Sequence, residues 1–208
     1  MKGTPMTTTA ERRIDLRMSP KDLISVGVFG ALYLVIVFGI NMLGFINPAV
    51  MLIALAASIV AGGIPFILFL TRVRHAGMVT VFAIVTAGIL MLSGHPPISF
   101  AISVVCALLA EAIIWAGNYR SRRLSVLAYA VYSAWYVGPM MPIFYARDDY
   151  FAGPSMQMMG PEYVSQMQAL LSPGVLVLFD LSTVVFGLLG GLLGLRLMRK
   201  HFEKAGLA

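Results

Sequence analysis

Six long apolar stretches divide the chain, at about 23–43, 48–71, 77–93, 97–117, 124–145 and 174–196. Each is close to the roughly 20 residues that a helix needs to cross a bilayer's hydrocarbon core. Short breaks separate them at Asn47-Pro48, Arg72-Val73-Arg74-His75, Gly94-His95-Pro96-Pro97 and Arg120-Ser121-Arg122-Arg123, and one long connector runs from Arg147 to Pro173. Open strands in lipid would leave backbone polar groups unpaired, and the short alternating segments of a barrel are absent, so the stretches are read as helices. The pattern predicts an all-α integral membrane protein of six transmembrane helices. A polar N-terminal tail covers 1–22, the transmembrane domain covers 23–196 with an external loop of about 146–173, and a basic tail covers 197–208. Within the second stretch, Gly62-Gly63-Ile64-Pro65 predicts either one kinked helix or two shorter pieces.

Charge adds an orientation. The N-terminal tail holds five Lys or Arg residues, the 2/3 loop two, the 4/5 loop three and the C-terminal end four counting Arg196, whereas the opposite side holds only Arg147. Such asymmetry predicts both termini in the cytoplasm of a multi-pass cell-membrane protein. With 59% apolar and 12% charged residues, the formal charge of +6 reports membrane orientation before any nucleic-acid binding. The first apolar stretch is too long for a signal-peptide core and is read as a retained helix. The single cysteine, Cys106, excludes an intramolecular disulfide and any Cys-x-x-Cys site.

Small residues mark two helix faces. Gly27 and Ala31, with Gly30 beside them, form a small-xxx-small pair in the first stretch, and Gly187, Gly190, Gly191 and Gly194 make a denser stripe in the last. Both patterns allow close helix approach, with packing inside the chain as the default. Two acids fall within stretches, where a lone charge costs about 3 kcal/mol, so each requires a partner. Glu111 is expected to pair with Arg120, Arg122 or Arg123, two turns away, whereas Asp180 lies at the depth where an outward-opening pocket would end. Tyr129, Tyr132, Trp135 and Tyr136 share one broad helical face, expected to be core. The end of that stretch, Gly138-Pro139-Met140-Met141-Pro142, cannot be regular helix throughout. Met156, Met158, Met159 and Met167 in the long connector, with His95 on the same side, raise a metal or haem ligand, but an adaptable apolar surface is the stronger reading, and no metal site is assigned. No phosphate-binding Gly-x-x-x-x-Gly-Lys-Ser/Thr, Gly-x-Ser-x-Gly or His-Glu-x-x-His occurs, so the chain is expected to be neither an ATPase nor a hydrolase.

Several separate strings resemble one known family: Ser19-Pro20-Lys21-Asp22-Leu23-Ile24, Gly94-His95, Gly117-Asn118-Tyr119-Arg120, Arg147-Asp148-Asp149-Tyr150-Phe151 and Lys200-His201-Phe202-Glu203-Lys204-Ala205-Gly206. In matching order from Ser19 to Ala208, they resemble the MptD, or Trep-Strep, family of S components of energy-coupling factor (ECF) transporters. The resemblance implies a six-helix substrate-binding subunit that joins a coupling transmembrane subunit and two cytoplasmic ATPase subunits in an ABC importer. ATP would be hydrolysed by those partners, and this chain would need no cofactor of its own. S components of this kind dock through small residues of the first helix, often Ala-x-x-x-Ala, and Gly27, Gly30 and Ala31 occupy that place here, with glycine for the first alanine. A vitamin, a cofactor precursor and haem all stay open as the ligand, since fold analogy does not choose among them.

Convergence of polar groups places the substrate in an outward-facing pocket between spans one, five and six. Its expected residues are Asn41 and Asn47 from the first hairpin, Tyr145, Arg147 and Asp148 at the exit of span five, and Asp180 below, with His95 as a further candidate. Arg147 is expected either to bind an anionic group of the ligand or to neutralise Asp148 or Asp149. The competing expectation is a self-sufficient secondary transporter, because spans two and five, corresponding members of two three-helix halves, both carry Gly and Pro interruptions.

Overall fold

A computed structural model gives the fold and describes residues 18–73 and 75–204; most of the N-terminal tail, Arg74 and the last four residues lie outside the described residues. Every regular element described is helical. Helix α1 runs Pro20–Asn41 and starts before the apolar stretch does, because Ser19 and Asp22 form a reciprocal capping box. A 3-10 turn over Met42–Phe45 follows, and then α2, Pro48–Leu70, opens with Pro48 in its first turn and the Asn47 side chain accepting from the Val50 amide at 2.9 Å. Helix α2 passes through Pro65 without a break, so the second stretch is one helix. Helices α3 (Met78–Leu92) and α4 (Pro97–Ala116) come next.

The fifth stretch is divided. Helix α5 covers Arg122–Tyr132, eight residues of 3-10 helix follow over Ser133–Met140, and α6 is a single turn, Pro142–Tyr145. Pro139 and Pro142 each lack an amide donor, which removes the bonds that a continuous α-helix would require. The two Gly and Pro interruptions are thus inequivalent, since only the one in span five breaks its helix. The 5/6 connector folds into α7 (Arg147–Ala152), α8 (Pro154–Gln157) and α9 (Pro161–Leu170), and α10 spans Pro173–Lys204. Among the described residues, four helices are long and apolar enough to cross a membrane: α1 with its 3-10 extension, α2, α4 and α10. The shorter apolar α3 has 15 residues.

Glycine decides how the bundle closes. A Cβ on Gly63 of α2 would collide with the Gly190 backbone of α10, and one on Gly190 would lie 2.8 Å from the Val60 carbonyl oxygen. Gly194 meets the Gly63 carbonyl oxygen in the same way, at 2.8 Å, and Gly187 and Gly191 lie against α5. The stripe in the last span therefore packs within the chain, between α2 and α5.

The aromatic face of span five is core. Tyr129, Tyr132, Trp135 and Tyr136 are all buried, beside Tyr33 of α1, Phe66 of α2 and Phe82 of α3. Each polar tip has a partner, as burial requires. Tyr129 donates to the Ile59 carbonyl, Trp135 Nε1 donates to Tyr33 Oη at 2.9 Å, and Tyr136 and Tyr132 bond Ser58 at 2.9 Å and Thr86 at 3.3 Å.

Glu111 departs from its expected role. Its carboxylate accepts from the Gly77 amide at 2.8 Å, the Thr80 amide at 2.9 Å and the Thr80 hydroxyl at 3.1 Å. It caps the positive end of α3 in place of an ion pair with Arg120, Arg122 or Arg123. Gly30, expected at a docking face, is instead buried, and a Cβ there would meet Thr86 and Phe82 at 3.4 and 3.9 Å.

Two alanine substitutions separate the inner and outer glycines. Gly63→Ala overpacks the α2–α10 contact and is expected to lower stability by about 1–3 kcal/mol. Gly27→Ala, with nothing within 4 Å of the new Cβ, is expected to leave stability unchanged or slightly higher. Thermal unfolding of the two variants in detergent measures the difference.

Candidate functional site on the capped face

A folded cap covers the end of the bundle where α1 is joined to α2 and where α6 leads through the connector into α10. Its own small core contains Met140, Ile143, Phe151, Met167, Leu171, Leu176 and Phe179, so the apolar residues of the connector pack onto the ends of span five and α10. Arg147 holds this cap together. Its Nη1 donates to the Leu171 carbonyl and its Nη2 to the Gln168 carbonyl, both at 2.7 Å, and the guanidinium lies 5.1 Å from the centre of the Phe151 ring. A cation on the last carbonyls of α9 opposes the negative end of that helix. Of the two roles expected of Arg147, the ion pair with Asp148 or Asp149 gives way to this backbone clasp, and both acids are exposed. Tyr163 of α9 ties the cap to the first hairpin by donating to the Gly44 carbonyl at 2.8 Å.

Between this cap and the 3/4 turn lies an open cavity of about 470 Å3, with His95, Pro139, Tyr145, Asp149 and Tyr150 among its walls. His95 Nδ1 is 3.1 Å from the Leu90 carbonyl oxygen, an acceptor, so Nδ1 carries the proton and Nε2 is left as an acceptor. Burial lowers the His95 pKa, partly offset by that bond, and favours the neutral ring. Burial also pushes the Tyr150 phenol up to about 12, so it stays a donor across the physiological range. The cavity therefore offers proline and tyrosine surfaces with a neutral imidazole, a carboxylate and a phenol. It suits a small molecule of mixed apolar and polar character.

Of the residues expected in one pocket, the structure brings His95 and Tyr145 together here. Asn47 is occupied as the cap of α2, and Arg147 as the clasp of α9. Asn41 and Asp180 do not line the cavity; each keeps a buried side-chain oxygen without a hydrogen-bond partner among the described residues. Asp149 takes the place expected of Asp148, because α7 sets which of two adjacent acids faces the 3/4 turn. A six-residue helix preceded by a bent Ala146 leaves too little periodicity in the sequence to read that choice. Among the connector methionines, Met167 is buried in the cap core, whereas Met158 is 83% exposed. Among the described residues no three His, Cys, Asp or Glu side chains gather where they could hold a metal ion.

No curated protein and no solved structure matches the chain. One family model does, over residues 20–204, which takes in every described helix from α1 to α10. With long apolar helices packed through glycine and an apolar surface left bare, that match makes the chain a multi-pass protein of a bacterial membrane. It belongs to the Trep_Strep family, described as hypothetical bacterial integral membrane proteins.

Proposed function

We propose that this chain is the substrate-binding subunit of an ECF-type importer. It crosses the membrane six times with both termini in the cytoplasm, captures a small molecule at the outer cavity, and docks to a coupling subunit driven by two ATPases. The carrying observation is the division of α1 into two faces. Val26, Gly30, Tyr33 and Val37 are buried in the bundle, whereas Gly27 and Ala31 are exposed with a bare backbone beside them. Small residues on an uncovered helix face permit another transmembrane helix to approach closely, which supports docking through Gly27 and Ala31. The cap and its cavity support capture on the opposite side from most Lys and Arg residues.

Topology is checked by cysteine labelling in a Cys106→Ser background. A cysteine at Met158 is expected to react with an impermeant reagent in intact cells, and one at Arg122 only after lysis; labelling of Arg122→Cys in intact cells would reverse the orientation. Docking is checked by Gly27→Leu with Ala31→Leu. This pair is expected to reduce co-purification of a coupling subunit by about 10-fold or more while the isolated chain keeps its ligand and its unfolding temperature. Retained assembly and uptake in that variant would move the interface off α1.

The outer cavity is checked with whichever ligand co-purifies. His95→Ala combined with Asp149→Asn is expected to weaken calorimetric affinity by about 10-fold or more, since hydrogen bonds to charged groups are worth roughly 1.5–3 kcal/mol. Asp180→Asn reports separately on a deeper contact. Unchanged affinity in the first variant, with loss only in the second, would place the ligand below the cap.

A further inference from the structure

A second cavity, of about 480 Å3, opens at the other end of the bundle between α3 and α4, beside the turn that leads into α5. Its apolar wall is Leu108, Ala112 and Trp115 of α4, and Leu108 and Trp115 are 52% and 39% exposed on the outer surface of the bundle. The cavity is thus continuous with the surface that lipid covers. Its polar residues are Thr80, Glu111 and Tyr119.

Two of those groups have unmet needs of complementary kind. Glu111 is buried and accepts three hydrogen bonds from Gly77 and Thr80, yet no cation among the described residues pairs with it. A carboxylate has about four acceptor sites, so capacity for a further donor remains. The Tyr119 hydroxyl is buried with no hydrogen-bond partner among the described residues. Its position is held by an unusual backbone, with Asn118 at φ 51° and Tyr119 at φ 57°, and by the Tyr119 amide donating to the Ile114 carbonyl at 3.0 Å. Left-handed conformations at two successive non-glycine residues are strained and call for a compensating interaction. The carboxylate also raises the Tyr119 pKa, after burial, to about 12, so the phenol stays protonated.

Among the described residues, a buried anion without a counter-ion and a hydroxyl without a partner face one cavity, and together they match a cation that carries N–H donors. A primary ammonium has three such donors, whereas a quaternary ammonium has none. Arg120, Arg122 and Arg123 lie within four residues of Tyr119 and are exposed, cations of the kind that attract a lipid phosphate. Trp115 is an interfacial type of side chain, and α4 beyond it offers Leu108 and Val105 to acyl chains. We propose that this cavity binds the headgroup of an aminophospholipid, its primary ammonium held between the Glu111 carboxylate and the Tyr119 hydroxyl.

The test uses the full chain, delipidated in detergent and titrated with dioleoyl phosphatidylethanolamine, phosphatidylcholine or phosphatidylglycerol, with retained lipid counted by native mass spectrometry. Phosphatidylethanolamine is expected to be retained about 10-fold better than phosphatidylcholine. Tyr119→Phe removes a hydroxyl with no partner among the described residues, so its unfolding temperature without lipid is expected to stay or rise. Its preference for phosphatidylethanolamine should fall about 5-fold or more, with phosphatidylglycerol retention unchanged. Glu111→Gln should remove the preference altogether; if that variant does not fold, Tyr119→Phe decides alone. Equal retention of the two zwitterionic lipids, or a Tyr119→Phe protein with its preference intact, would overturn the proposal. Competition by soluble O-phosphoethanolamine at the same concentration as the lipid would overturn the lipid assignment in favour of a free amine.

Discussion

Backbone contact between α2 and α10, at Gly63, Gly190 and Gly194, is the constraint on which the remaining packing depends. Lipid tails are as apolar as leucine, so helices in a bilayer gain little from covering apolar side chains and much from close van der Waals fit. These glycines bring two helices together with no side chain between them. Gly62, one residue away, makes room on its other side for the rings of Tyr33 and Tyr129, and Tyr129 donates to the carbonyl of Ile59 on the same helix. From that anchor the hydroxyls of span five reach α2 and α3, and the Trp135 indole reaches α1. Enlarging one glycine would push α10 away and break hydroxyl contacts several residues distant.

That arrangement uses up the inward face of each helix and explains which groups are left outside. On α1, Gly30 is consumed by contact with α3, while Gly27 and Ala31 are exposed among the described residues. On the capped face, Arg147 is consumed by the end of α9, which leaves the cavity with acceptors and a phenol but with its nearest guanidinium engaged elsewhere. Residues that a sequence marks as reactive are therefore of two sorts, those that hold the scaffold and those that the scaffold presents. Geometry is what sorts them.

Much of the fold was legible along the chain. The predicted stretch 97–117 becomes Pro97–Ala116 and 77–93 becomes Met78–Leu92, because apolar length and flanking prolines are local signals. The aromatic face of span five as core, and the internal use of the last glycine stripe, followed from helical spacing alone. Non-local choices were not legible. Glu111 had three arginines close in sequence, yet its partners are amides and a hydroxyl 31 and 34 residues earlier, brought near by the antiparallel turn between α3 and α4. Gly138-Pro139 announced a break, but the 3-10 turns begin at Ser133, before either residue. In the site, Tyr145 and His95 could be chosen by type and location; the selection of Asp149 over Asp148 depends on the path of a single short turn.

Helix α3 carries a consequence for the membrane itself. Its 15 residues rise about 22 Å, against a hydrocarbon thickness of about 30 Å. Ile84, Val85, Ile89 and Leu92 are exposed along it, so its outer side meets lipid tails over a shorter distance than α2 or α10 requires. Hydrophobic mismatch of this kind is relieved by local thinning, at fractions of a kcal/mol per Å. In the six-span arrangement proposed above, the bilayer around this protein would be asymmetric, pinched on the α3 side, with headgroups drawn inward there and neighbouring proteins sensing a slope in membrane thickness.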